Sequence, residues 1–274
     1  MNDIKVSIIM GIYNCASTLP DAIESIINQT FTSWELIMCD DGSIDNTYDT
    51  ANKYKKEYPD RIILIRNEKN MGLNYTLNKC LNIARGEYIA RMDGDDISLQ
   101  NRLKLEVDFL DNHQEYSIVS SPMIYFDEYG DWGVGKAIEI PQIKDFVFHA
   151  PFHCHAPCMI RKYAFLDVGG YTVDKKLLRF EDCNLWYKLY AAGYRGYNIQ
   201  TPLYKMRDDR DAYHRRDPKS RLRSIYVQMN GFKIINMKKI YYPFLLIDLM
   251  KSVMVLLMPY FIYDFFHRRK INCG

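Results

Sequence analysis

Three carboxylates lie within four residues, at Asp93, Asp95 and Asp96. Anions this close repel one another unless a cation lies between them. A hard divalent ion, Mg²⁺ or Mn²⁺, is the natural partner, because such ions bind one or two carboxylates together with substrate phosphates. The alternative is a solvated acidic turn before a helix. An EF-hand is excluded because the loop from Asp93 lacks glycine at its sixth position and glutamate at its twelfth.

A second acidic pair, Asp40 and Asp41, is followed by Gly42 and Ser43. Taken alone, this segment is typical of a turn that caps the next helix. If both acidic segments face one crevice, they suit a nucleotide diphosphate, with one group near the base or ribose and the other on the metal that holds the phosphates. The sequence contains neither a P-loop nor a dinucleotide-binding glycine motif after its first strand.

The elements around these residues alternate between strand and helix. Over the first 112 residues we predict strands at 4–10, 34–39, 61–65 and 87–92, and helices at 18–28, 45–58, 73–84 and 98–112. This order predicts an α/β fold with a mostly parallel sheet flanked by helices. Ligands of such sheets bind outside the carboxyl ends of the strands, where both acidic segments are expected to lie.

Further carboxylates occur at Glu181 and Asp182, at the start of a helix predicted over 182–192. The helix dipole favours acidic residues at this position. A single carboxylate in a ligand crevice can also act as a general base. The sequence alone leaves both interpretations open.

A run of histidines and cysteines occupies residues 149–158, before this helix. Its spacing matches no common zinc motif, so we expect small, buried thiols there. The seven cysteines of the chain are scattered, and its first apolar run is too short for a secretion signal. Free thiols in a reducing, cytoplasmic compartment are therefore expected.

Over residues 4–206 the chain resembles the family 2 glycosyltransferases, inverting enzymes with the GT-A fold. The motifs that carry the resemblance follow the order and spacing of the family: Val6–Asn14, Gln29–Phe31, Asp40–Ser43, Asn70–Leu73, Gly86–Asp96, Asn101–Leu103, His155, Met159, Arg161, Gly169–Tyr171 and Glu181–Trp186. Two positions depart from it. Gly94 stands where alanine or serine is more usual, and Leu77 stands where many relatives carry an arginine near the donor.

The resemblance implies roles in donor binding. Tyr13 corresponds to the residue that stacks on the donor base, and Asp41 to the carboxylate that accepts a hydrogen bond from uracil, with Asp40 beside it. Asp93 and Asp95 match the DxD pair. Asp95 is then the direct ligand of Mn²⁺ or Mg²⁺, and Asp93 contacts the ribose or a metal-bound water.

The resemblance also implies roles in catalysis. Asp182 matches the general base that takes the proton of the acceptor hydroxyl, and His155 and Glu181 match positions on the acceptor or diphosphate side. Transfer from a nucleotide diphosphate sugar passes through an oxocarbenium-like state, as glycoside hydrolysis does. Direct displacement with one base inverts the anomeric centre.

The domain organisation follows from the same comparison. A catalytic domain is predicted over residues 1–206, with a nucleotide-binding half at 1–112 and an acceptor-side half at 113–206, followed by a tail at 207–274. Residues 201–274 contain 15 Lys and Arg against 6 Asp and Glu, a net charge of +9, whereas residues 1–200 carry −7. The near-neutral sum of +2 thus combines an acidic body with a basic tail.

The tail contains an apolar segment at residues 244–258, between Pro243 and Pro259. As a helix it spans roughly 22 Å, less than the ~30 Å of a bilayer core. Basic and aromatic residues flank it, which favours an interfacial helix that binds the membrane surface through residues 240–270. The alternative is a helix packed on the catalytic domain or on a partner subunit. No nucleic-acid-binding motif accompanies the basic residues.

The sequence thus predicts a metal-dependent transferase that moves a sugar from a UDP-sugar to a saccharide or lipid-linked acceptor in surface polysaccharide synthesis. The expected location is the inner face of the cell membrane, and a homo-oligomer is compatible with the sequence. Two alternatives remain: a non-catalytic nucleotide-sugar-binding protein of the same fold, and a nucleotidyltransferase.

Overall fold

A computed structural model describes residues 4–147, 152–208 and 218–257. The strands are β1 (Val6–Ile12), β2 (Trp34–Asp40), β3 (Ile62–Arg66), β4 (Tyr88–Asp93), β5 (Ile97–Ser98), β6 (Ile118–Ser120), β7 (Met123–Asp127), β8 (Gly130–Val134), β9 (Met159–Arg161), β10 (Gly196–Asn198) and β11 (Tyr204–Arg207). The α-helices are α1 (Leu19–Ile27), α2 (Thr47–Glu57), α3 (Leu73–Ile83), α4 (Arg102–Asn112), α5 (Lys162–Asp167), α6 (Glu181–Ala191), α7 (Pro218–Ile234) and α8 (Phe244–Leu257).

The larger sheet has seven strands in the order β10-β6-β9-β4-β1-β2-β3. Only β9 runs against its neighbours in this sheet, so the predicted mostly parallel α/β arrangement is confirmed. In the register of the central strands, Ile12 on β1 lies opposite Asp40 on β2, and Gly11 lies opposite Asp93 on β4. The two acidic segments therefore flank the carboxyl end of β1.

Both faces of this sheet are buried, which explains why its strands are almost continuously apolar. Successive residues pack into separate cores: Ile9 and Ile37 lie in the core that contains α6, whereas Ile8 and Leu36 lie in the core that contains α1. The alternation follows from the two-residue period of a strand. Helices on both faces thus hold the strand ends in a fixed register.

A smaller sheet, in the order β5-β11-β7-β8, covers the region after the Asp93–Asp96 turn. It includes the antiparallel pair β7–β8. The predicted start of a helix at Ser98 is wrong, because Ser98 pairs with Tyr204 of β11 and the helix begins at Arg102. The side-chain amide of Gln29 donates to the Leu99 carbonyl at 2.8 Å and holds this segment extended.

Helix α7 packs against α6, and α8 packs against α7. Val227 and Phe232 of α7 are buried in the same core as Trp186 and Tyr187 of α6. The end of β11 at Arg207 lies next to the predicted domain boundary at residue 206. Within the described ranges, none of the helices has the length and apolar character needed to cross a bilayer.

A buried ion pair joins α4 to the sheet. Arg102 and Glu106 are both fully buried, with Nε 3.1 Å from a Glu106 carboxylate oxygen, and Arg102 Nη2 donates to the Arg91 carbonyl at 2.9 Å. Burial raises the pKa of Glu106 to about 7 although the Arg102 charge opposes the shift. Loss of either partner would therefore leave the other one buried without a compensating charge.

Arg102→Met should lower the free energy of unfolding by about 3–5 kcal/mol, because it leaves the Glu106 carboxyl buried without its cation. Urea denaturation followed by circular dichroism measures the change. The matched control is Lys104→Met, which removes an exposed pair with Asp108 in the same helix and should cost only about 0.3–0.5 kcal/mol. Equal losses for the two variants would contradict this account of Arg102.

Candidate active site

The acidic turn after β4 places three carboxylates together. Single oxygens of Asp93, Asp95 and Asp96 all lie within 4.8 Å of one another, and this is the one group in the described residues arranged to hold a metal ion. Asp93 is half-buried, Asp95 is exposed and Asp96 is buried. Oxygen-only donors of this kind suit Mg²⁺ or Mn²⁺.

The three carboxylates differ in what holds them. Asp96 accepts the backbone N–H of Arg207 at 2.8 Å, which ties the turn to β11. Burial and the charges of Asp93 and Asp95 raise the pKa of Asp96. The surrounding protein, together with the Asp93 charge, also raises the pKa of Asp95 although its side chain reaches the surface. A cation bound between Asp93 and Asp95 would relieve this repulsion.

Arg91 is the buried cation beneath this turn. Its side chain pairs with Asp93. Burial lowers the pKa of Arg91 and the Asp93 charge raises it, and the net result is a raised pKa. The same guanidinium charge acts on Glu181 and Asp182. Arg91 is thus the electrostatic link between the acidic turn and α6. Arg91 is not among the site residues predicted from sequence, although its position two residues before Asp93 on a strand places both side chains on one face.

The second acidic pair follows β2. Asp40 is buried and pairs with Arg66 at 2.9 Å. Asp41 is also buried, and its two oxygens accept the backbone N–H groups of Met71 and Gly72 at 2.8 and 2.9 Å. Gly72 adopts a φ of 90°, which favours glycine. Asp41 therefore holds the loop that leads into α3.

Tyr13 follows β1 at the same edge of the sheet, and 46% of the residue is exposed. The next residue, Asn14, links this loop to the one after β2: its backbone N–H donates to Ser43 Oγ and its side-chain oxygen accepts from the Ile44 N–H, both at 3.0 Å. An accessible aromatic ring thus stands on a well-anchored loop beside Asp41.

Glu181 and Asp182 form the first turn of α6. Burial, followed by the Asp182 charge, raises the pKa of Glu181 to about 7. Burial also raises the pKa of Asp182, although the Cys183 N–H donates to its Oδ1 at 2.7 Å. A carboxylate with a raised pKa is a stronger base than a solvated aspartate. This pair is therefore suited to proton transfer.

His155 lies near this helix. Its Nε2 is 2.7 Å from the Tyr171 hydroxyl, and its ring contacts Trp186 of α6 edge-on. Burial and the Arg91 charge lower the pKa of His155 well below its usual value, so the imidazole is neutral. The Arg91 charge thus reaches His155 as well as the carboxylates.

The described neighbours of His155 do not form a zinc site. His153 is fully buried, with Nδ1 2.8 Å from Asn198 Oδ1 and Nε2 3.0 Å from the Tyr190 hydroxyl, which leaves neither nitrogen for a metal. Burial raises the pKa of the Cys154 and Cys158 thiols to about 12. His149 lies outside the described residues. The six described cysteines are free thiols, as expected.

Solved structures of similar fold are GT-A glycosyltransferases. Residues 1–349 of Staphylococcus aureus TarS in complex with UDP match with a TM-score of 0.63 at 19% identity, over 84% of this chain and 69% of that one. The mannosyltransferase PcManGT from Pyrobaculum calidifontis, in complex with GDP-Man and Mn²⁺, matches with a TM-score of 0.64 at 19% identity, over 92% and 69%. These likenesses establish the GT-A fold.

The family follows from sequence. The model described as Glycosyl transferase family 2 matches residues 7–169. EpsE of Bacillus subtilis, named as a glycosyltransferase, is 46% identical over 77% of this chain and 76% of its own length. WfaP of Escherichia coli, a UDP-Glc:alpha-D-GlcNAc-diphosphoundecaprenol beta-1,3-glucosyltransferase, is 30% identical over 70% of this chain and 73% of its own. This chain belongs to glycosyltransferase family 2, and the predicted transferase class is confirmed.

Proposed function

We propose that this chain transfers a sugar from a UDP-sugar to a hydroxyl group of a lipid-linked saccharide, with inversion of the anomeric carbon. The observation that carries the proposal is the shared electrostatic environment of the acidic turn and Asp182. The buried Arg91 pairs with Asp93 and its charge acts on Asp182, which supports a single site that contains both carboxylate groups. One group then serves the donor and the other serves the acceptor.

On the donor side, the exposed ring of Tyr13 offers a surface on which uracil can stack. Asp41 lies next to it. Its carboxylate accepts from the Met71 and Gly72 N–H groups and from the Asn67 side-chain amide, and it retains acceptor capacity on Oδ2, since two carboxylate oxygens accept about four hydrogen bonds. The N3–H of uracil is a suitable donor to it. Asp40 supports Asp41 through the Arg66 pair at the end of β2.

The metal ligands in this proposal are Asp95 and Asp93. Their carboxylate oxygens suit Mn²⁺ or Mg²⁺, whereas metals that prefer thiolate ligands would find none among them. Asp95 and Asp93 would hold a divalent ion, which would supply positive charge to the departing diphosphate. The ion pair with Arg91 holds the Asp93 carboxylate in place.

On the acceptor side, Asp182 takes the proton. The acceptor hydroxyl oxygen attacks the anomeric carbon, the bond from that carbon to the diphosphate oxygen breaks, UDP leaves with the bonding electrons, and the hydroxyl proton moves to an Asp182 oxygen. The raised pKa of Asp182 strengthens the base. Glu181, with a pKa of about 7, and the neutral His155 lie on the acceptor or diphosphate side.

Two observations support a lipid-linked acceptor. WfaP and a second Escherichia coli relative, 32% identical over 77% of this chain, are named for acceptors on diphosphoundecaprenol. In addition, α8 presents an exposed apolar stripe of Leu246, Met250 and Met254, spaced four residues apart. Lys238 and Lys239 precede this helix and would attract anionic lipid headgroups. We infer that α8 docks on a membrane surface.

Binding to vesicles tests the docking surface. The protein should sediment with vesicles that contain anionic lipid and less with neutral ones. Serine at Leu246, Met250 and Met254 together should reduce the bound fraction at least ~10-fold, because about 25 cal/mol per Å² of buried apolar area is lost. The control is Leu105→Ser, at an exposed position of α4. Undiminished binding of the triple variant would contradict the assignment to α8.

Product analysis tests the proposed reaction. With Mn²⁺, a UDP-sugar and polyprenyl diphosphate saccharides, the protein should release UDP and lengthen the acceptor by one sugar. A nucleotidyltransferase would instead release or consume inorganic diphosphate. A non-catalytic homologue would bind UDP-sugars without turnover. Either result would reject the proposed function.

A further inference from the structure

The carboxylate of Asp41 is held by three donors from the segment between β3 and α3. Its Oδ1 accepts the side-chain amide of Asn67 and the backbone N–H of Met71, both at 2.8 Å. Its Oδ2 accepts the Gly72 N–H at 2.9 Å. Each carboxylate oxygen has two lone pairs, so these donors fill Oδ1 and leave one acceptor site on Oδ2. Within the described part of the chain, Asp41 thus offers a ligand one hydrogen bond from a defined oxygen.

The orientation of the Asn67 amide follows from the chemistry of its partners. Lys79 Nζ, which can only donate, lies 2.8 Å from Asn67 Oδ1. The amide nitrogen then faces two acceptors, Asp41 Oδ1 at 2.8 Å and Thr76 Oγ1 at 3.0 Å. A flipped amide would turn its N–H groups toward the ammonium and its oxygen toward the carboxylate. The network therefore fixes which group of Asn67 reaches Asp41.

Asn67 is anchored independently of any ligand. Only 4% of the residue is exposed, and its backbone N–H donates to the Asp40 carbonyl at 2.8 Å. Thr76, on the other side of the amide, is fully buried in α3. The described hydrogen bonds of Asn67 do not reach the Asp93–Asp96 turn. An effect of Asn67 on a nucleotide would therefore pass through Asp41.

We propose that Asn67 is a positioning residue that restricts Asp41 to one N–H donor of the nucleotide base and so disfavours guanine. The inference rests on the proposed function, in which Asp41 accepts the N3–H of uracil. Uracil presents this single N–H between two carbonyl oxygens, and the open site on Oδ2 satisfies it. Guanine presents two adjacent donors, at N1 and N2, which suit a carboxylate with both oxygens open. The Asn67 bond closes Oδ1, so one guanine donor stays unpaired.

Three nucleotides test the inference by titration in the presence of Mn²⁺. The unaltered protein should bind UDP at least ~10-fold more tightly than GDP, because a hydrogen bond to a charged group is lost with GDP. It should show a similar preference over CDP, whose N3 carries a lone pair in place of the hydrogen. Asn67→Ala should lower the ratio of the GDP Kd to the UDP Kd by ~10-fold, since it opens an acceptor site on Asp41 Oδ1.

A second variant and a control accompany Asn67→Ala. Lys79→Met removes the partly exposed cation that orients the amide, and it should lower the same ratio about threefold, as expected for one ordinary hydrogen bond. Asn112→Ala, at an exposed position of α4, should leave the ratio unchanged. The ratio separates positioning from stability, because a variant that only loosens the loop would weaken the binding of both nucleotides alike.

Equal binding of UDP and GDP, or of UDP and CDP, by the unaltered protein would overturn the inference without any variant having to fold. A folded Asn67→Ala variant with an unchanged ratio would also overturn it. If that variant does not fold, an unchanged ratio in Lys79→Met would do so. Each of these results leaves sugar transfer standing. If no nucleotide binds and no UDP is released with any acceptor, both the proposed function and this inference are wrong.

Discussion

Asp182→Asn should reduce the turnover number of sugar transfer by roughly 10²–10⁴-fold, the range that general-base catalysis contributes. Asparagine keeps the shape of the side chain but cannot take the proton of the acceptor hydroxyl. Donor binding should persist, because the change lies at the start of α6 and not at the acidic turn after β4. UDP release measures turnover, and calorimetric titration with UDP and Mn²⁺ measures donor binding.

The control for this variant is Glu181→Gln, which removes the neighbouring carboxylate in the same helical turn. It should retain far more activity than Asp182→Asn. In addition, kcat/KM of the unaltered enzyme should rise with pH as Asp182 deprotonates, with a midpoint above the usual aspartate value because burial raises its pKa. Asp182→Asn should abolish that acid limb. Equal activities of the two variants would reject Asp182 as the base.

Asp95→Asn should weaken the Mn²⁺-dependent binding of UDP by ~10² or more. Loss of groups that only support metal ligands costs 10–100-fold in metal affinity or activity, and loss of a direct ligand should cost at least as much. Among the described residues, the exposed Asp95 carboxylate makes no contact like that of Asp96 with Arg207, so the variant should fold normally. Titration of UDP at increasing Mn²⁺ concentration measures the effect.

Asp108→Asn serves as the control, because it removes an exposed carboxylate on α4 that is paired only with Lys104 among the described contacts. Its binding of UDP and its dependence on Mn²⁺ should match the unaltered protein. Chelation of divalent ions with EDTA should reduce UDP affinity of the unaltered protein to the level of Asp95→Asn. An Asp95→Asn variant that still responds to Mn²⁺ in full would place the metal elsewhere.

Much of the fold follows from sequence because the parallel strands are buried on both faces. Their mostly apolar runs, such as Val6–Ile12 and Trp34–Asp40, are short, which marks the strands. The runs of β2 and β4 also end in acidic turns, which marks their carboxyl ends. The parallel register then places Asp40 and Asp93 on either side of β1. The strands of residues 1–112 and the placement of their acidic turns could therefore be predicted from sequence.

The remainder depends on contacts between distant segments. Ser98 joins a strand because Tyr204 pairs with it from 106 positions further along the chain, and local propensity carries no trace of that. Because the segment before α7 is densely charged, the sequence did not indicate the apolar face with which this helix packs on Tyr187. Asp41 was expected either to contact the donor base or to lie in a turn that caps the next helix, and the structure shows that it holds the backbone at Met71 and Gly72.

The anomeric configuration of the product tests the central claim most directly. Proton NMR of the sugar transferred by the unaltered enzyme, from whichever UDP-sugar supports UDP release, reports whether the configuration at the anomeric carbon has changed. Direct displacement assisted by the single base Asp182 predicts an inverted configuration. A product that retains the donor configuration would require a different mechanism and would contradict the account.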